Sequence, residues 1–195
     1  ITQGWLPERY TLEEKTMELL AFFGFSNHNA WEEYYFNQQL KVAFRISLAQ
    51  TKEPFAISAW LRRGELQAAN LNANKFSEKK FKTALQKLKS ISPNPQKDSF
   101  QFVQTICLEA GVKVTYTPCI ANVPIDGATR WLNDTPLIQL SDQNHLIDHF
   151  WFKFFHAAAH ILLHGKKEIF LENLDYADKN MEKEQQADEF ARKWM

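Results

Sequence analysis

Only two cysteines, Cys107 and Cys119, occur in 195 residues. They are too few for a disulfide framework and fit a reducing compartment, so the expected location is the cytoplasm. No run approaches the 18 or so apolar residues of a membrane span, and no segment has the pattern of a secretory signal. Net charge is missing too, because 23 basic residues are cancelled by 23 acidic ones. A general electrostatic grip on nucleic acid is thereby removed, and with no helix-turn-helix signature the expectation is no direct nucleic-acid binding. The chain opens at Ile1 without an initiator methionine and ends at Met195 inside a helical pattern, so it is expected to be a trimmed piece, truncated at its C-terminus.

What is present is length enough for one domain or two small ones. Thr11-Leu-Glu-Glu14 is a capping box leading into an apolar helix that Gly24 stops. A second helix is expected from Ser26 or Asn27 through Trp31 to Phe36, a third from about Pro54 to Ala69, and a fourth capped by Ser77. Trp60 reads as a core aromatic, and the lysines at 79, 80, 82, 87 and 89 as a solvated face. The polar, proline-bearing stretch 90–98 reads as a junction. Asp98 then caps a helix closed by Gly111. Residues 112–117 alternate as a strand, and 130–132 and 137–140 read as two more, joined by a turn. The expected fold class is α+β: a helical domain over 1–92, followed by a small module over 93–195 that combines a small sheet with helices.

The chemistry is concentrated in residues 148–164, Asp-His-Phe-Trp-Phe-Lys-Phe-Phe-His-Ala-Ala-Ala-His-Ile-Leu-Leu-His. Apolar residues fall on nearly every side of it, which predicts a buried central helix. His156 and His160 are four residues apart, so their side chains share a face about 6 Å apart along the axis and can hold one zinc ion. His164 continues that face but lies about 12 Å from His156, too far to bind the same ion, and is read as structural. His145 and His149 belong to the entry region of the helix. In the zinc-peptidase pattern His-Glu-x-x-His, the Glu after the first His is the general base. Here that position is Ala157.

Zinc needs a third protein ligand. The last helix carries Ala187, Phe190, Ala191 and Trp194 as an inward stripe, and Glu184 lies on it one turn earlier. An inward carboxylate requires a partner, which makes Glu184 the expected third ligand. Asp188, one turn on, is placed to take the outer N–H of a ligand histidine, with His156 the expected recipient.

Taken together, His156-x-x-x-His160-Ile-Leu-Leu-His164 and Glu184-x-x-Ala187-x-x-Phe190-Ala191 resemble the ImmA/IrrE family of bacterial zinc endopeptidases. Gly127-Ala-Thr-Arg-Trp-Leu132 and Asp148-His-Phe-Trp-Phe152 are similar to the peptidase half of family regulators with an amino-terminal Xre-type DNA-binding domain, some described as HigA-like antitoxins. The resemblance implies a compact gluzincin-like fold and a Zn2+ cofactor on His156, His160 and Glu184. It also implies limited proteolysis of a protein partner, a DNA-binding repressor or other regulator. The departure is Ala157, for which there are three accounts: an engineered inactivation, a natural pseudo-enzyme, or another base in its place; intact ligands beside a single missing base favour the first, an inactive mutant. Arg130 is a candidate oxyanion stabiliser. Leu137, Ile138, Gln139 and Leu140 are the candidate edge strand for an extended substrate. The alternative function is a non-catalytic, antitoxin-like binding module with structural zinc, and the helical first part could serve as a homodimerisation module.

Overall fold

The computed structural model describes residues 4–6, 11–34, 53–92, 99–120, 125–141, 147–174 and 179–195. Among them are seven helices and a four-stranded mixed sheet. In chain order these are α1 (Leu12–Phe23), α2 (His28–Glu32), α3 (Pro54–Ala69), α4 (Glu78–Ile91), α5 (Ser99–Ala110), β1 (Lys113–Tyr116), β2 (Gly127–Leu132), β3 (Thr135–Leu140), α6 (Ile147–Leu163), β4 (Phe170–Glu172) and α7 (Met181–Trp194). The architecture is compatible with an α+β class. No helix among the described residues is long and apolar enough to cross a membrane.

Local chemistry sets the helix ends. The Thr11 hydroxyl accepts from the Glu14 N–H while the Glu14 carboxylate accepts from the Thr11 N–H, so both orphan donors of the first turn are met. Asn27 caps α2, accepting from Ala30 N at 2.9 Å. Ser77 caps α4, and Gly24 and Gly111 take left-handed φ values of 79° and 87° at helix ends. On α4, Phe81, Ala84, Leu85 and Leu88 are buried while its lysines face solvent. Residues 35 and 36, the expected end of the second helix, and Asp98 and His145 lie outside the described residues.

The sheet order is β1-β3-β2-β4, with β1 parallel to β3 and β2 antiparallel to both β3 and β4. The β2–β3 hairpin turns on Asn133-Asp134, with Asn133 at φ 56°. The two strands are therefore longer than the sequence suggested, because a left-handed Asn lets two residues reverse the chain where four were expected.

Alternation sends successive side chains to opposite faces of the sheet. Val114, Trp131, Ile138 and Leu140 join α4, α5, α6 and α7 in one core, where Phe81, Trp151, Phe154, Phe155 and Ala191 are buried. Ala128 and Leu171 join Ile57, Trp60 and Leu61 of α3, with Phe23 and Trp31, in a second core on the other face. The sheet is thus covered on both sides. Both cores draw on residues from either side of the expected boundary between 92 and 93.

Between α3 and the sheet lies a buried polar layer. Gln139 Nε2 donates to Trp60 O at 2.7 Å and Thr117 Oγ1 at 3.0 Å, and Arg130 donates to Leu61 O at 2.7 Å and Gln139 Oε1 at 3.1 Å. Two sequence expectations are corrected by this arrangement. Arg130 is 1 % exposed and sits on the face turned away from α6, so it does not reach the histidine cleft as an oxyanion stabiliser. Leu137, Ile138, Gln139 and Leu140 are on an interior strand whose two edges are already paired with β1 and β2, so they cannot take up an extended substrate. The sheet edges among the described strands are β1 and β4.

Candidate metal centre

α6 is apolar around most of its circumference, and its histidine face is the exception. His156 and His160 project from successive turns and bring their Nε2 atoms 3.0 Å apart. α7 packs beside α6 through the small, fully buried Ala187 and Ala191. That close approach carries Glu184 and Asp188 to the histidines.

The outer nitrogen of each ring is held. Asp188 Oδ1 lies 2.9 Å from His156 Nδ1, on the ring expected for it. His160 Nδ1 lies 2.9 Å from His164 Nδ1, whose Nε2 is 3.0 Å from Gln186 Oε1. With Asp188 as acceptor, His156 carries its proton on Nδ1. With Gln186 Oε1 as the final acceptor, His164 is protonated on Nε2 and His160 on Nδ1. Both Nε2 lone pairs then point at the same space. His164, read from sequence only as structural, is the group that sets the tautomer of His160. The Phe170 ring stacks on His160 with centroids 3.8 Å apart, which fixes its plane.

Two carboxylates close on those lone pairs. Glu184 Oε2 and Oε1 are each 3.7 Å from an Nε2, of His156 and His160 respectively. Glu172 Oε2 is 3.1 Å from His156 Nε2, and its Oε1 is 3.8 Å from His160 Nε2. Nothing in the sequence reading pointed to Glu172. It ends β4, whose three residues alternate so that Phe170 and Glu172 face α6 and Leu171 faces α3. The only sequence signal is the apolar triplet Ile169-Phe-Leu171 running into an acid.

His156, His160 and Glu172 form a group that could hold a metal ion, and Glu184, the third ligand expected from sequence, is not a member of it. Zinc bonds of about 2.1 Å in a tetrahedron put ligand atoms about 3.4 Å apart. The separations of 3.0 to 3.8 Å between the two histidines, and from them to Glu172 and Glu184, bracket that figure. Lone pairs and carboxylates gathered this closely repel one another unless a cation or proton lies between them, so the donor set fits a divalent ion.

The electrostatics record the same demand. Burial alone lowers the pKa of His156, but the carboxylates of Glu184, Glu172 and Asp188 outweigh it and raise the ring to about 9. His160 is pushed well below its ordinary value, first by burial and then by the positive charge of His156. Burial lifts Glu172 to about 7, with His156 opposing and Glu184 adding to the rise.

The centre opens on a cleft of about 740 Å³. Its walls include His149, Phe152, Lys153, Asn173 and Lys179 besides the metal-facing groups. Lys153 is paired with Asp126 at 3.2 Å, and Lys179 Nζ lies 3.8 Å from Glu184. Ala157 is 1 % exposed, packs into the core that α6 shares with the sheet, and brings no polar group to the cleft. No family model matches the chain, and neither curated proteins nor solved structures give a match.

Proposed function

We propose that the chain is a zinc-dependent endopeptidase scaffold of the ImmA/IrrE type, in a form that lacks its general base. One observation supports this most: two histidines one helical turn apart, their Nε2 atoms 3.0 Å from each other, with an acidic residue on the outer nitrogen of His156. The Glu172 and Glu184 carboxylates close on the same two nitrogens, which a histidine pair sharing one proton does not require.

In this reading His156, His160 and Glu184 hold the zinc. When bound, zinc acidifies a water molecule and polarises a peptide carbonyl. Asp188 and the His164–Gln186 pair keep the two rings in the tautomer that presents Nε2. A base at position 157 would receive the proton of the attacking water and pass it to the leaving amine. Ala157 does neither, so turnover falls by roughly 10² to 10⁴ or more. The substrate class is a protein, a DNA-binding repressor or other regulatory partner. The second reading is an antitoxin-like binding module with structural metal, and Ala157 is the observation that favours it.

The test has two steps. Zinc content of the purified chain comes first, with one ion per chain expected and its loss in His156→Ala. Ala157→Glu is then assayed with candidate regulatory partners. It is expected to be less stable by about 1 to 3 kcal/mol, because Ala157 is packed, but to bind zinc and to cleave in a chelator-sensitive way. A chain that binds no zinc ends both readings, and a folded, zinc-loaded Ala157→Glu that cuts none of the partners favours the binding module.

A further inference from the structure

We infer that Glu172 is a fourth protein ligand, which closes the metal site from the sheet side, so that water and substrate reach the metal only when Glu172 withdraws. This rests on the metal reading proposed above and concerns how access to that site is regulated.

The donors that cluster are those of His156, His160 and Glu172, with Glu184 standing 3.7 Å from each Nε2 beside them. Glu172 Oε2 is 3.1 Å from His156 Nε2, shorter than either approach of Glu184. Its Oε1 is buried with no hydrogen-bond partner and lies 3.8 Å from His160 Nε2. A carboxylate oxygen enclosed with nothing donating to it, beside an imidazole nitrogen whose own proton is on the far side, is oriented for a cation. With Glu184 on the α7 side, the two imidazoles and two carboxylates supply four donor groups. Four is the coordination number at which a zinc site is closed rather than catalytically open.

The position of Glu172 is built into the fold. Asp126 N donates to Glu172 O at 3.2 Å, and the β2–β4 ladder pairs Gly127 with Glu172 and Thr129 with Phe170. Leu171 is fully buried on one face and Phe170 is clamped on His160 on the other. The backbone is therefore pinned on both sides, and only the side-chain torsions of Glu172 can carry the carboxylate away. Gly127 leaves room for it, since a Cβ there would come within 3.1 Å of Glu172 Cγ. The cleft already borders Glu172 and Asn173, so the withdrawn carboxylate has solvent to enter. Access to the metal is then controlled by the side-chain torsions of one carboxylate, with no rearrangement of the sheet.

Co2+ is the probe, because its visible spectrum reports ligand number and its affinity can be measured without turnover. The Co2+-loaded chain is expected to show a four-coordinate spectrum that millimolar azide leaves unchanged. Glu172→Ala should bind Co2+ more weakly, by more than the 10- to 100-fold that losing an outer-shell group costs, and its spectrum should shift with azide. Glu172→Gln keeps the shape of β4 if the alanine variant is unstable, and should open the site in the same way. Gly127→Ala, which presses on Glu172 Cγ without touching a donor atom, should increase azide uptake. Two results overturn the closure while leaving the metal reading intact: azide uptake by the unaltered chain equal to that of Glu172→Ala, or Co2+ affinity unchanged in Glu172→Ala and Glu172→Gln but lost in Glu184→Ala. A chain that takes up no Co2+ at all overturns the closure and the metal reading together.

Discussion

Removal of the Asp188 carboxylate tests the metal centre without touching a ligand. Asp188 Oδ1 is 2.9 Å from His156 Nδ1, and the His156 side chain is 6 % exposed. Outer-shell groups of this kind are worth about 10 to 100-fold in metal affinity. The lower end applies here, because the Asp188 side chain is 36 % exposed and borders solvent, so that water can replace it as acceptor. Asp188→Ala should therefore weaken zinc binding about tenfold, which is about 1.4 kcal/mol. In fixed zinc excess the metal-induced stabilisation drops by the same amount, or roughly 3 to 6 °C in Tm for a chain of this size. The quantity to compare is the zinc-induced shift, since Asp188 also faces the protonated ring when metal is absent. Competition against a chromophoric chelator gives the affinity directly. Arg192→Ala is the control: Arg192 Nη2 is 3.3 Å from Asp188 Oδ2 but touches neither histidine, and it should leave zinc affinity unchanged. An Asp188→Ala protein with unaltered affinity, or an Arg192→Ala protein weakened equally, refutes the assignment of Asp188 to His156.

Stability of the metal-free protein should fall as pH rises from 6.5 to 9. His156 titrates near 9 when folded against 6.5 unfolded, so the folded state holds its proton through this window and loses the benefit as pH climbs; Glu172, near 7 folded, acts in the same sense below that value. His160, lowered on folding, acts with the opposite sign but only below 6.5, where the unfolded ring also becomes charged. A flat Tm between pH 6.5 and 9 without metal contradicts this, and saturating zinc should largely abolish the slope. Gly64→Ala should destabilise the fold by about 3 kcal/mol or more, read by denaturant titration: its Cβ would overlap the Gln139 side chain and expel it from its bonds to Trp60 O, Thr117 Oγ1 and Arg130. A change under 1 kcal/mol would mean the polar layer between α3 and the sheet is not tightly packed.

The parts legible in sequence are those whose geometry is fixed inside one helix. Four residues on a helix are one turn, and that alone sets His156 above His160 and Glu184 above Asp188. The stripe of Ala187 and Ala191 indicated which face of the last helix turns inward, and small residues imply a close approach. Capping chemistry was similarly local, as at Thr11, Asn27 and Ser77. Glu172 was not legible because its place depends on β4 pairing with Gly127–Thr129, more than forty residues earlier in the chain, and on α6 lying across that ladder. Three residues are too few for alternation to declare a strand. His164 was missed as a positioning group because spacing rules it out as a ligand and says nothing of the hydrogen bond it offers a neighbouring ring.

The misplacement of Arg130 is different in kind, because the sequence held the means to avoid it. Adjacent residues on a strand point to opposite faces, so Arg130 and Trp131 cannot both face the histidine helix. Of the two, the tryptophan is the residue that an apolar helix would bury, and Trp131 does lie in the core beneath α6. Arg130 must then face α3, where a charge survives burial only if carbonyls and an acid meet it. Leu61 O at 2.7 Å, Gln139 Oε1 at 3.1 Å and Glu65 at 3.8 Å do so. The same parity places Gln139 with Arg130 and separates it from Ile138 and Leu140. A polar pair at alternate positions of two adjoining strands therefore marks the face opposite the histidine helix. That layer ties the first helices to the sheet and leaves the chemistry of the other face to α6, α7 and β4.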